Sequence, residues 1–461
     1  MSEQERKGGN FAVQEESLIR LPLVLQQVLN RLHRAGFSAY AVGGCVRDSL
    51  LGRIPKDWDV TTSAKPEEVA AVFSDAKVLP TGIRHGTVTL LTDEMPIEIT
   101  TFRSEGSYSD HRRPDEVTFL EKPDQDLARR DFTINAMAYH SKEGLLDLFG
   151  GRAHLKQKIV CCVGDPIARF REDALRILRA MRFASELDFT IEEKTAKAMK
   201  ECRNLLSAIS PERIYAELVK LLCGAGAGRV LSLYGEVLLP VLPELEPMFD
   251  CKQNSPYHDK SVWEHTLWVI DALPGEKVLR LVALFHDMGK PALKTTDKEG
   301  IDHFKGHPEQ SARLAEQILR RLRADNATIK EVCHLVRCHD LRFENTDASC
   351  RKLLHRLGKE HFSDYLTFRR ADTFGQSDRF REASNQALDL LEERGKRLLA
   401  EEDCFSLREL KLDGEDLLSL GFEGEEIGRM LTSLLNQVLD GRLKNQKETL
   451  LAAAKEQMKR E

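Results

Sequence analysis

The stretch YAVGGCVRDSLLGRIPKDWDVTTS, residues 40–63, limits what this chain can fold into more than any other segment. An apolar run is followed by a glycine pair, a helix-like run and then Asp57-Trp58-Asp59. In a strand, positions i and i+2 point to the same face, so Asp57 and Asp59 should aim their carboxylates together while Trp58 turns towards the core. The stretch therefore predicts a strand–helix–strand unit that presents two carboxylates side by side.

Two adjacent carboxylates repel each other, and this repulsion raises a pKa unless cations lie between them. Two magnesium ions about 4 Å apart fit such a pair and can clamp the attacking and leaving oxygens of a phosphoryl or nucleotidyl transfer. Magnesium prefers carboxylate oxygens and substrate phosphates as ligands. Glu98 lies between two isoleucines of another predicted strand, so it faces away from them and is a candidate third carboxylate. The alternative is an ordinary solvent-exposed Asp-x-Asp pattern.

Gly43 and Gly44 stand between the apolar run and the helix-like run. Glycine lets backbone N–H groups approach a phosphate closely at the start of a helix. Arg47 then lies one helical turn further on, where it can bind a triphosphate. A glycine pair alone is often only a turn, but its combination with Arg47 and the two acids indicates nucleotide-dependent chemistry.

Composition limits the class of protein. The chain has 461 residues, enough for two to four domains, and is 41% hydrophobic and 31% charged, as in soluble globular proteins. No apolar run is long enough to cross a bilayer, and the N-terminus lacks a secretory layout, so we expect a cytoplasmic protein without a membrane partner. The ten cysteines form no C-x-x-C pair, which favours reduced, buried thiols. A net charge of −6 still permits a local basic surface for nucleic acid.

The periodicity of apolar residues divides the chain into two parts. A helix is predicted over 12–36, followed by short β-like runs separated by Gly, Asp and Pro. From about residue 165 apolar residues recur every three and four positions almost to the end, which indicates helices. The predicted fold class is α+β, with a small mixed sheet in an N-terminal head and an all-α remainder.

Asp173 and Arg176 are three residues apart in one predicted helix, and therefore on one face of it. Asp accepts hydrogen bonds and Arg donates them, which matches the amino group and ring nitrogen of cytosine and adenine. Uracil and guanine present the reverse order, and an unpaired buried polar group costs about 1–3 kcal/mol. The pair therefore predicts selection of C and A without a template, with a surface ion pair as the alternative. The arginines crowded on this helix need a nearby anion: Arg169, Arg171, Arg176, Arg179 and Arg182.

These segments resemble the signature of the class II nucleotidyltransferases of the polymerase β superfamily, which tRNA CCA-adding enzymes and bacterial poly(A) polymerases share. The resemblance is strong over roughly residues 20–250. The C-terminal DGRLKNQKETLLAAAKE is similar to the end of bacterial CCA-adding enzymes. The further matching motifs, in chain order, are RRDFTINAMAY (129–139), DLFGGRAHLKQKIV (147–160), FREDALRILRAMRFASELDF (170–189) and ISPERIYAEL (209–218).

The resemblance implies four domains and a set of residue roles. They are a polymerase-β-like nucleotidyltransferase head (1–155), a helical neck for nucleotide selection and tRNA binding (156–250), a helical body (251–375) and a tRNA-binding helical tail (376–461). Asp57 and Asp59 would bind Mg²⁺. The nucleotide would be bound by Gly44, Arg47, Arg130 (with Asp131 in the same motif), Asp173, Arg176, Arg179 and Arg182.

A second set of residues in the body resembles an HD domain, a helical metal-dependent phosphohydrolase fold. Imidazole and carboxylate ligands together suit Mn, Co, Ni or Fe. The His-Asp dipeptide also arises by chance, and a degenerate HD domain could serve only as a tRNA-binding scaffold. The expected ligands are His265, His286, Asp287, His307, His339 and Asp372.

The combined prediction is an enzyme that adds C, C and A to the 3′ end of tRNA from CTP and ATP, with a possible HD phosphohydrolase that repairs RNA ends. The segment 102–117 is predicted to be a mobile loop, and it resembles the flexible loop of enzymes that complete the terminal A. Four alternatives stay open. They are an A-adding tRNA nucleotidyltransferase, a poly(A) polymerase, an HD phosphohydrolase with a nucleotide-sensing head, and a non-catalytic RNA-binding chaperone.

Overall fold

The computed structural model describes residues 19–106, 117–254, 260–375, 378–401 and 404–458. The chain divides into two compact units. The first comprises the chain up to Ala184 together with Asp188–Ile209, and the second comprises Ser185–Leu187 and Ser210 onwards. The domain boundaries at 155, 250 and 375 stay predictions, as does the mobile loop, of which residues 107–116 lie outside the described part.

The first unit contains the predicted head and the arginine-rich helix. Its helices are α1 (Leu23–Arg34), α2 (Gly44–Leu50), α3 (Pro66–Val72), α4 (Asp124–Ala128), α5 (Gly151–Gln157), α6 (Pro166–Glu172), α7 (Leu175–Leu187) and α8 (Glu193–Cys202). Its strands are β1 (Ala39–Val42), β2 (Asp59–Thr62), β3 (Lys77–Gly82), β4 (Thr87–Leu91), β5 (Pro96–Thr101), β6 (Arg103–Glu105), β7 (Val117–Phe119), β8 (Met137–His140), β9 (Gly144–Asp147), β10 (Ile159–Val160) and β11 (Thr190–Ile191).

Seven strands form one mixed sheet in the order β3-β4-β5-β2-β1-β8-β9. Strand β2 pairs antiparallel with β1 and parallel with β5, and the β2–β5 register sets Asp59 beside Glu98. Val60, Ile97 and Ile99 alternate with these acids and are buried at 1%, 0% and 1% exposure. The small mixed sheet predicted from the sequence is confirmed.

The helix predicted over 12–36 begins later than expected. It starts at Leu23 directly after Pro22, whose fixed φ suits the entry to a helix, and ends at Arg34. Gly36 follows with φ 91°, a left-handed conformation that favours glycine and stops the helix. Residues 12–18 of the predicted helix lie outside the described part.

In its described residues the second unit is helical apart from one short hairpin, as predicted. The hairpin consists of β12 (Thr295–Thr296) and β13 (Asp302–His303). Its helices are α9 (Pro211–Cys223), α10 (Ala227–Tyr234), α11 (Glu246–Phe249), α12 (Val262–Ala272), α13 (Lys277–Phe285), α14 (Lys290–Leu293), α15 (His307–Arg321), α16 (Asn326–Cys338), α17 (Asp347–Leu357), α18 (Phe362–Gly375), α19 (Asp378–Ala400), α20 (Gly414–Ser419), α21 (Glu425–Leu439) and α22 (Lys447–Met458).

Two composition-based expectations can be compared with the structure. All ten cysteines are free and eight of them are buried, as predicted. Among the described residues, no helix has both the length and the apolar character needed to cross a membrane.

Candidate active site

Three carboxylates meet where β2 begins. Asp57 and Asp59 are exposed, with Trp58 buried between them at 6% exposure, so the predicted alternation holds. Only Asp59 belongs to the strand, since β2 starts there and Asp57 precedes it. Glu98, the predicted third carboxylate, is the register partner of Asp59 on β5. The structure therefore brings together all three acids expected from the sequence.

The three carboxylates of this cluster carry more negative charge than the nearby Arg130 offsets. Although the Asp59 side chain is accessible to solvent, the surrounding protein removes part of its hydration, and this partial desolvation, with the negative charges of Glu98 and Asp57, raises the pKa of Asp59 to about 6 against the opposing charge of Arg130. A divalent cation between these oxygens would remove the repulsion, and an all-carboxylate donor set suits Mg²⁺. The three acids therefore fit the predicted magnesium site.

Two arginines lie against the glycine pair. A Cβ atom on Gly43, which has φ 83°, would lie 3.0 Å from Arg130 Nη1. A Cβ atom on Gly44 would lie 3.7 Å from Arg47 Nη2. A side chain at position 43 would thus strain the backbone and displace Arg130 from its place near Asp59. Because the glycines have no side chains, two guanidinium groups can lie against the backbone beside the carboxylates.

Phe183 organises the remaining arginines, and sequence reasoning did not single it out. The guanidinium carbon of Arg182 lies 4.0 Å from the centre of its ring, that of Arg47 5.1 Å and that of Arg179 5.3 Å. Each contact is an attraction between a cation and the face of a ring, but three like charges around one ring repel one another. Carboxylates already pair with two of the three arginines, Asp48 with Arg47 and Asp131 with Arg179, and a polyanion such as a triphosphate would offset the repulsion further. The signal in the sequence was an aromatic residue directly after Arg182.

A buried ion pair fixes this arginine cluster. Arg179 Nε and Nη2 donate to Asp131 Oδ2 over 2.8 and 2.5 Å. Asn135 Nδ2 donates to Asp131 Oδ1, and Arg47 Nη1 donates to Asn135 Oδ1 over 2.8 Å. Although burial opposes its ionisation, the charge and hydrogen bonds of Arg179, with the Asn135 bond, lower the pKa of Asp131 to about 2. Asp131 therefore positions Arg179 and, through Asn135, Arg47.

Asp126 was also missed from the sequence. It is fully buried, and its Oδ1 accepts from Arg129 Nη2 over 2.8 Å while Oδ2 accepts from Thr61 Oγ1 over 3.1 Å. Arg130 Nη2 lies 3.5 Å from Asp126 Oδ2. The carboxylate nearest Arg130 is thus Asp126, whereas Asp131 of its own motif binds Arg179. Asp126 ties the arginine motif to the strand that carries Asp59.

The predicted pairing of Asp173 and Arg176 on one helix face is wrong. Helix α6 ends at Glu172 and α7 begins at Leu175, and Asp173 lies between them in extended conformation. Its Oδ1 accepts from Leu175 N over 3.0 Å, as a helix cap does. Arg176 instead donates to Glu172 Oε2 over 2.6 Å and to the Arg129 carbonyl over 3.0 Å. The helix-favouring periodicity hid the break because a capping Asp can stand in a helical pattern.

The six predicted HD residues come together in the second unit. His265 Nε2 lies 3.1 Å from Asp372 Oδ1, and His286 Nε2 lies 3.2 Å from Asp287 Oδ2 without the alignment of a hydrogen bond. His307 Nε2 and His339 Nε2 lie 3.3 and 3.7 Å from Asp287 Oδ1. All six side chains are at least nine-tenths buried. Their positions on different helices are α12 for His265, the end of α13 for His286 and Asp287, α15 for His307, the end of α16 for His339 and α18 for Asp372.

Backbone carbonyls orient all four imidazoles in the same way. Each Nδ1 contacts a main-chain oxygen, over 3.1 Å for His265, 2.8 Å for His286, 2.9 Å for His307 and 2.6 Å for His339. With Nδ1–H donating there, the lone pair of each Nε2 points towards the two aspartates, which is the orientation found for metal-bound histidine. Although burial opposes this, the charge that His286 carries when it is protonated, and that of Lys290, whose Nζ lies 2.7 Å from Asp287 Oδ2, lower the pKa of Asp287 well below its usual range. These donors fit a divalent transition metal.

Models of three protein families match parts of this chain. A model of the poly A polymerase head domain matches residues 39–161, and one of a probable RNA-binding site of polymerase A matches 188–249. A third, for the second domain of tRNA nucleotidyltransferases, matches 301–454. The CCA-adding enzyme of Enterococcus faecalis is 35% identical over 436 residues, covering 93% of this chain and 95% of the relative. The chain belongs to the CCA-adding enzymes.

Other CCA-adding enzymes agree with this assignment. That of Lactobacillus helveticus is 47% identical over 262 residues, a match that covers 55% of this chain and 65% of the relative. The crystal structure of a Bacillus stearothermophilus CCA-adding enzyme in complex with CTP superposes with a TM-score of 0.68 at 27% identity, covering 95% of this chain and 97% of the other. The matched family descriptions do not name an HD domain, so that assignment stays a prediction.

Proposed function

We propose that this protein adds C, C and A in turn to the 3′ end of tRNA, using CTP and ATP and releasing pyrophosphate. The observation that carries the proposal is the junction of three carboxylates with a cluster of arginines, on a chain that aligns over nearly its whole length with a CCA-adding enzyme. Related structures are described as complexes with CTP, with ATP and with tRNA. The same three molecules are the partners proposed here.

Different residues would hold the metal, bind the phosphates and position the arginines in the transfer reaction. Asp57, Asp59 and Glu98 would hold Mg²⁺, which when bound activates the RNA 3′-hydroxyl and stabilises charge on the phosphorus. Arg47 and Arg130 lie against the glycine pair, where they can bind phosphate oxygens. Asp131 keeps Arg179 fixed, so the positive field at the triphosphate is set before the nucleotide arrives.

The proposal can be tested by incubating the protein with tRNA that lacks its terminal CCA. Each labelled triphosphate is supplied singly, and ATP is then supplied after CTP. We expect two additions from CTP, one further addition from ATP after CTP, and none from UTP or GTP. A single A added only to tRNA that already ends in CC would instead show an A-adding enzyme. Repeated addition of A would show a poly(A) polymerase. No incorporation with ample magnesium would refute the transferase function altogether.

Asp173 is proposed to accept a hydrogen bond from the amino group of the incoming C or A. Asp173→Asn keeps an oxygen for the cap on Leu175 N but adds an N–H₂ donor, so the substitution changes base reading with little effect on α7. We expect UTP and GTP incorporation to rise about 5–150-fold relative to CTP and ATP, the equivalent of about 1–3 kcal/mol. The measurement is kcat/KM for each triphosphate. Unaltered discrimination would show that Asp173 does not read the base.

A second activity is proposed for the metal centre of the second unit. The four inward-pointing Nε2 atoms around two buried aspartates favour a site for a divalent transition metal, and hence hydrolysis of a phosphoester at RNA ends. A 2′,3′-cyclic phosphate or a 2′-phosphate would block the 3′-hydroxyl that the transferase needs. Removing such a group would restore the substrate for C and A addition.

Replacing His286 and Asp287 together by alanine is expected to abolish metal binding and phosphodiesterase activity, because it removes ligands from the centre of the cluster. Incorporation from CTP and ATP should be unchanged. Metal content of the purified protein and hydrolysis of a 2′,3′-cyclic nucleotide are the measurements. The matched control is the exposed pair His303 and Asp297, 2.7 Å apart, replaced in the same way. Equal phosphodiesterase activity in both double variants would refute the second activity.

A further inference from the structure

Ile54 is an unusually exposed apolar side chain in the loop that leads to Asp57. It is 93% exposed, whereas the next most exposed large apolar side chain of the described residues, Leu23, is 66% exposed. Single exposed apolar residues are common on protein surfaces and need no explanation by themselves. The neighbours of Ile54 and its place in the fold make this one informative.

Two cations without partners flank Ile54. Arg53 and Lys56 are exposed, and neither side chain forms a hydrogen bond or an ion pair with any residue that the structure describes. Other exposed arginines of this chain are paired, as Arg320 is with Glu316 over 2.8 Å. Arg53, Ile54, Pro55 and Lys56 together are named the 53–56 lip.

The backbone holds the lip in place. Arg53 N donates to the Asp48 carbonyl over 2.8 Å, and Gly52 N donates to the Ser49 carbonyl over 3.0 Å. Gly52 has φ 69°, a conformation that favours glycine and turns the chain away from α2. Pro55 restricts the loop further. The fold therefore fixes the point at which the lip leaves α2.

The lip lies within reach of the reacting atoms. Ile54 precedes Asp57 by three residues, so their Cα atoms are at most roughly 11 Å apart. A stacked nucleic-acid strand rises about 3.4 Å per nucleotide, so this span corresponds to roughly three nucleotides. The proposed partners of the triphosphate are Gly44, Arg47 and Arg130, and among the described residues none of these three hydrogen-bonds to a lip side chain.

We propose that the 53–56 lip binds the last unpaired nucleotides of the RNA acceptor strand, on the assumption that the proposed transferase function is correct. Arg53 and Lys56 bind phosphates of the strand, which positions it without reading sequence. The Ile54 side chain packs on the face of a base or ribose, where an apolar group tolerates any base. The lip thus holds the strand whose 3′-hydroxyl must reach Asp57 and Asp59.

Steady-state kinetics with tRNA lacking CCA tests the lip. For Arg53→Ala with Lys56→Ala we expect KM for tRNA to rise about 10–100-fold while KM for CTP stays within about twofold. Loss of two phosphate contacts to a single strand should make the slope of log kcat/KM against log salt less negative by about 1.4. Ile54→Ala should raise KM for tRNA about three- to tenfold without changing that slope, because it removes no charge.

The matched control is Ile83→Ala with Arg84→Ala. Both residues are exposed and precede β4. The start of β4 pairs with the end of β5, so these residues lie at the end of the sheet that is far from Asp59. An unchanged KM for tRNA in the lip variants, a parallel rise in KM for CTP, or an equal effect of the control would overturn the lip proposal. If the wild-type protein incorporates CTP and ATP, these outcomes refute the lip alone. Absence of incorporation by the wild type refutes the transferase function instead.

Discussion

Replacing Asp59 by asparagine is expected to abolish nucleotide transfer while the fold persists. The substitution keeps the shape of the side chain but removes the charge that would bind Mg²⁺ between Asp57 and Glu98. We expect kcat/KM for CTP to fall on the order of 10³-fold or more, the effect of removing a principal electrostatic stabiliser of a transition state. Incorporation of labelled CTP into tRNA lacking CCA is the measurement.

The stability of the same variant separates a catalytic role from a structural one. The folded pKa of Asp59, about 6, lies above the ordinary value of 3.8, so its ionisation opposes folding and stability falls as pH rises from about 4 to 6. Without magnesium at pH 7, Asp59→Asn should therefore unfold at the same temperature as the wild type or higher. Magnesium should raise the unfolding midpoint of the wild type but not that of Asp59→Asn.

Asp93→Asn is the matched control, since it makes the same chemical change at an exposed position in the β4–β5 turn. It should retain activity and the response to magnesium. Transfer activity in Asp59→Asn near the wild-type level would contradict the assigned role. A lowered midpoint in the absence of magnesium would show that Asp59 is structural.

Replacing Asp131 by alanine is expected to cost both stability and triphosphate binding. It leaves Arg179 without its buried partner and removes the acceptor that holds Asn135, which in turn holds Arg47. Breaking a fully buried ion pair costs about 3–5 kcal/mol, and the value here should be nearer 2–3 kcal/mol because Arg179 is 32% exposed. KM for CTP should rise, since Arg179 loses Asp131 and the position of Arg47 then depends on its ion pair with Asp48.

The loss of stability in Asp131→Ala should depend on pH in a direction set by the pKa of Asp131. The folded pKa of Asp131, about 2, lies below the ordinary 3.8, so the stabilising contribution is complete above about pH 4 and is lost as pH falls towards 2. The difference in the free energy of unfolding between the wild type and Asp131→Ala should therefore shrink below pH 4. Urea unfolding at pH 7 and at pH 3 measures it.

A double-mutant cycle with Arg179→Ala isolates the pair, and the double variant should regain part of the loss because the Arg179 charge is removed together with Asp131. Glu193→Ala removes one partner of an exposed pair, whose side chains are 81% and 75% exposed, and should leave stability unchanged. A difference between the wild type and Asp131→Ala that stays constant from pH 7 to 3 would show that the ion pair is not its origin.

Local features of the fold could be predicted from the sequence because they depend on neighbours in the chain. The alternation that buries Trp58 and exposes Asp57 and Asp59 has the period of a strand. The glycine pair marks the turn into α2, and Gly43 has the positive φ that only glycine adopts without strain. The mixed sheet and the helical second unit followed from the change of apolar period along the chain.

The spacing of apolar residues gave a wrong prediction where a continuous helix and a break between two helices have the same spacing. The residues around Asp173 have helical periodicity, yet the chain breaks there because the Asp173 side chain caps α7 through Leu175 N. An Asp side chain that competes for backbone N–H groups ends one helix and starts another without disturbing the spacing of apolar residues. Arg176 consequently binds Glu172 and the Arg129 carbonyl.

The sequence alone thus determined the types of element, the presence of paired acids beside a glycine turn and the set of histidines and aspartates in the second unit. Tertiary structure alone decided which of these residues meet. The parallel register of β2 and β5 brings Glu98 beside Asp59, and folding brings Asp131 to Arg179 across 48 positions of sequence. The physical reason is that strand period and helix caps act over a few residues, whereas register and buried ion pairs depend on packing between distant segments.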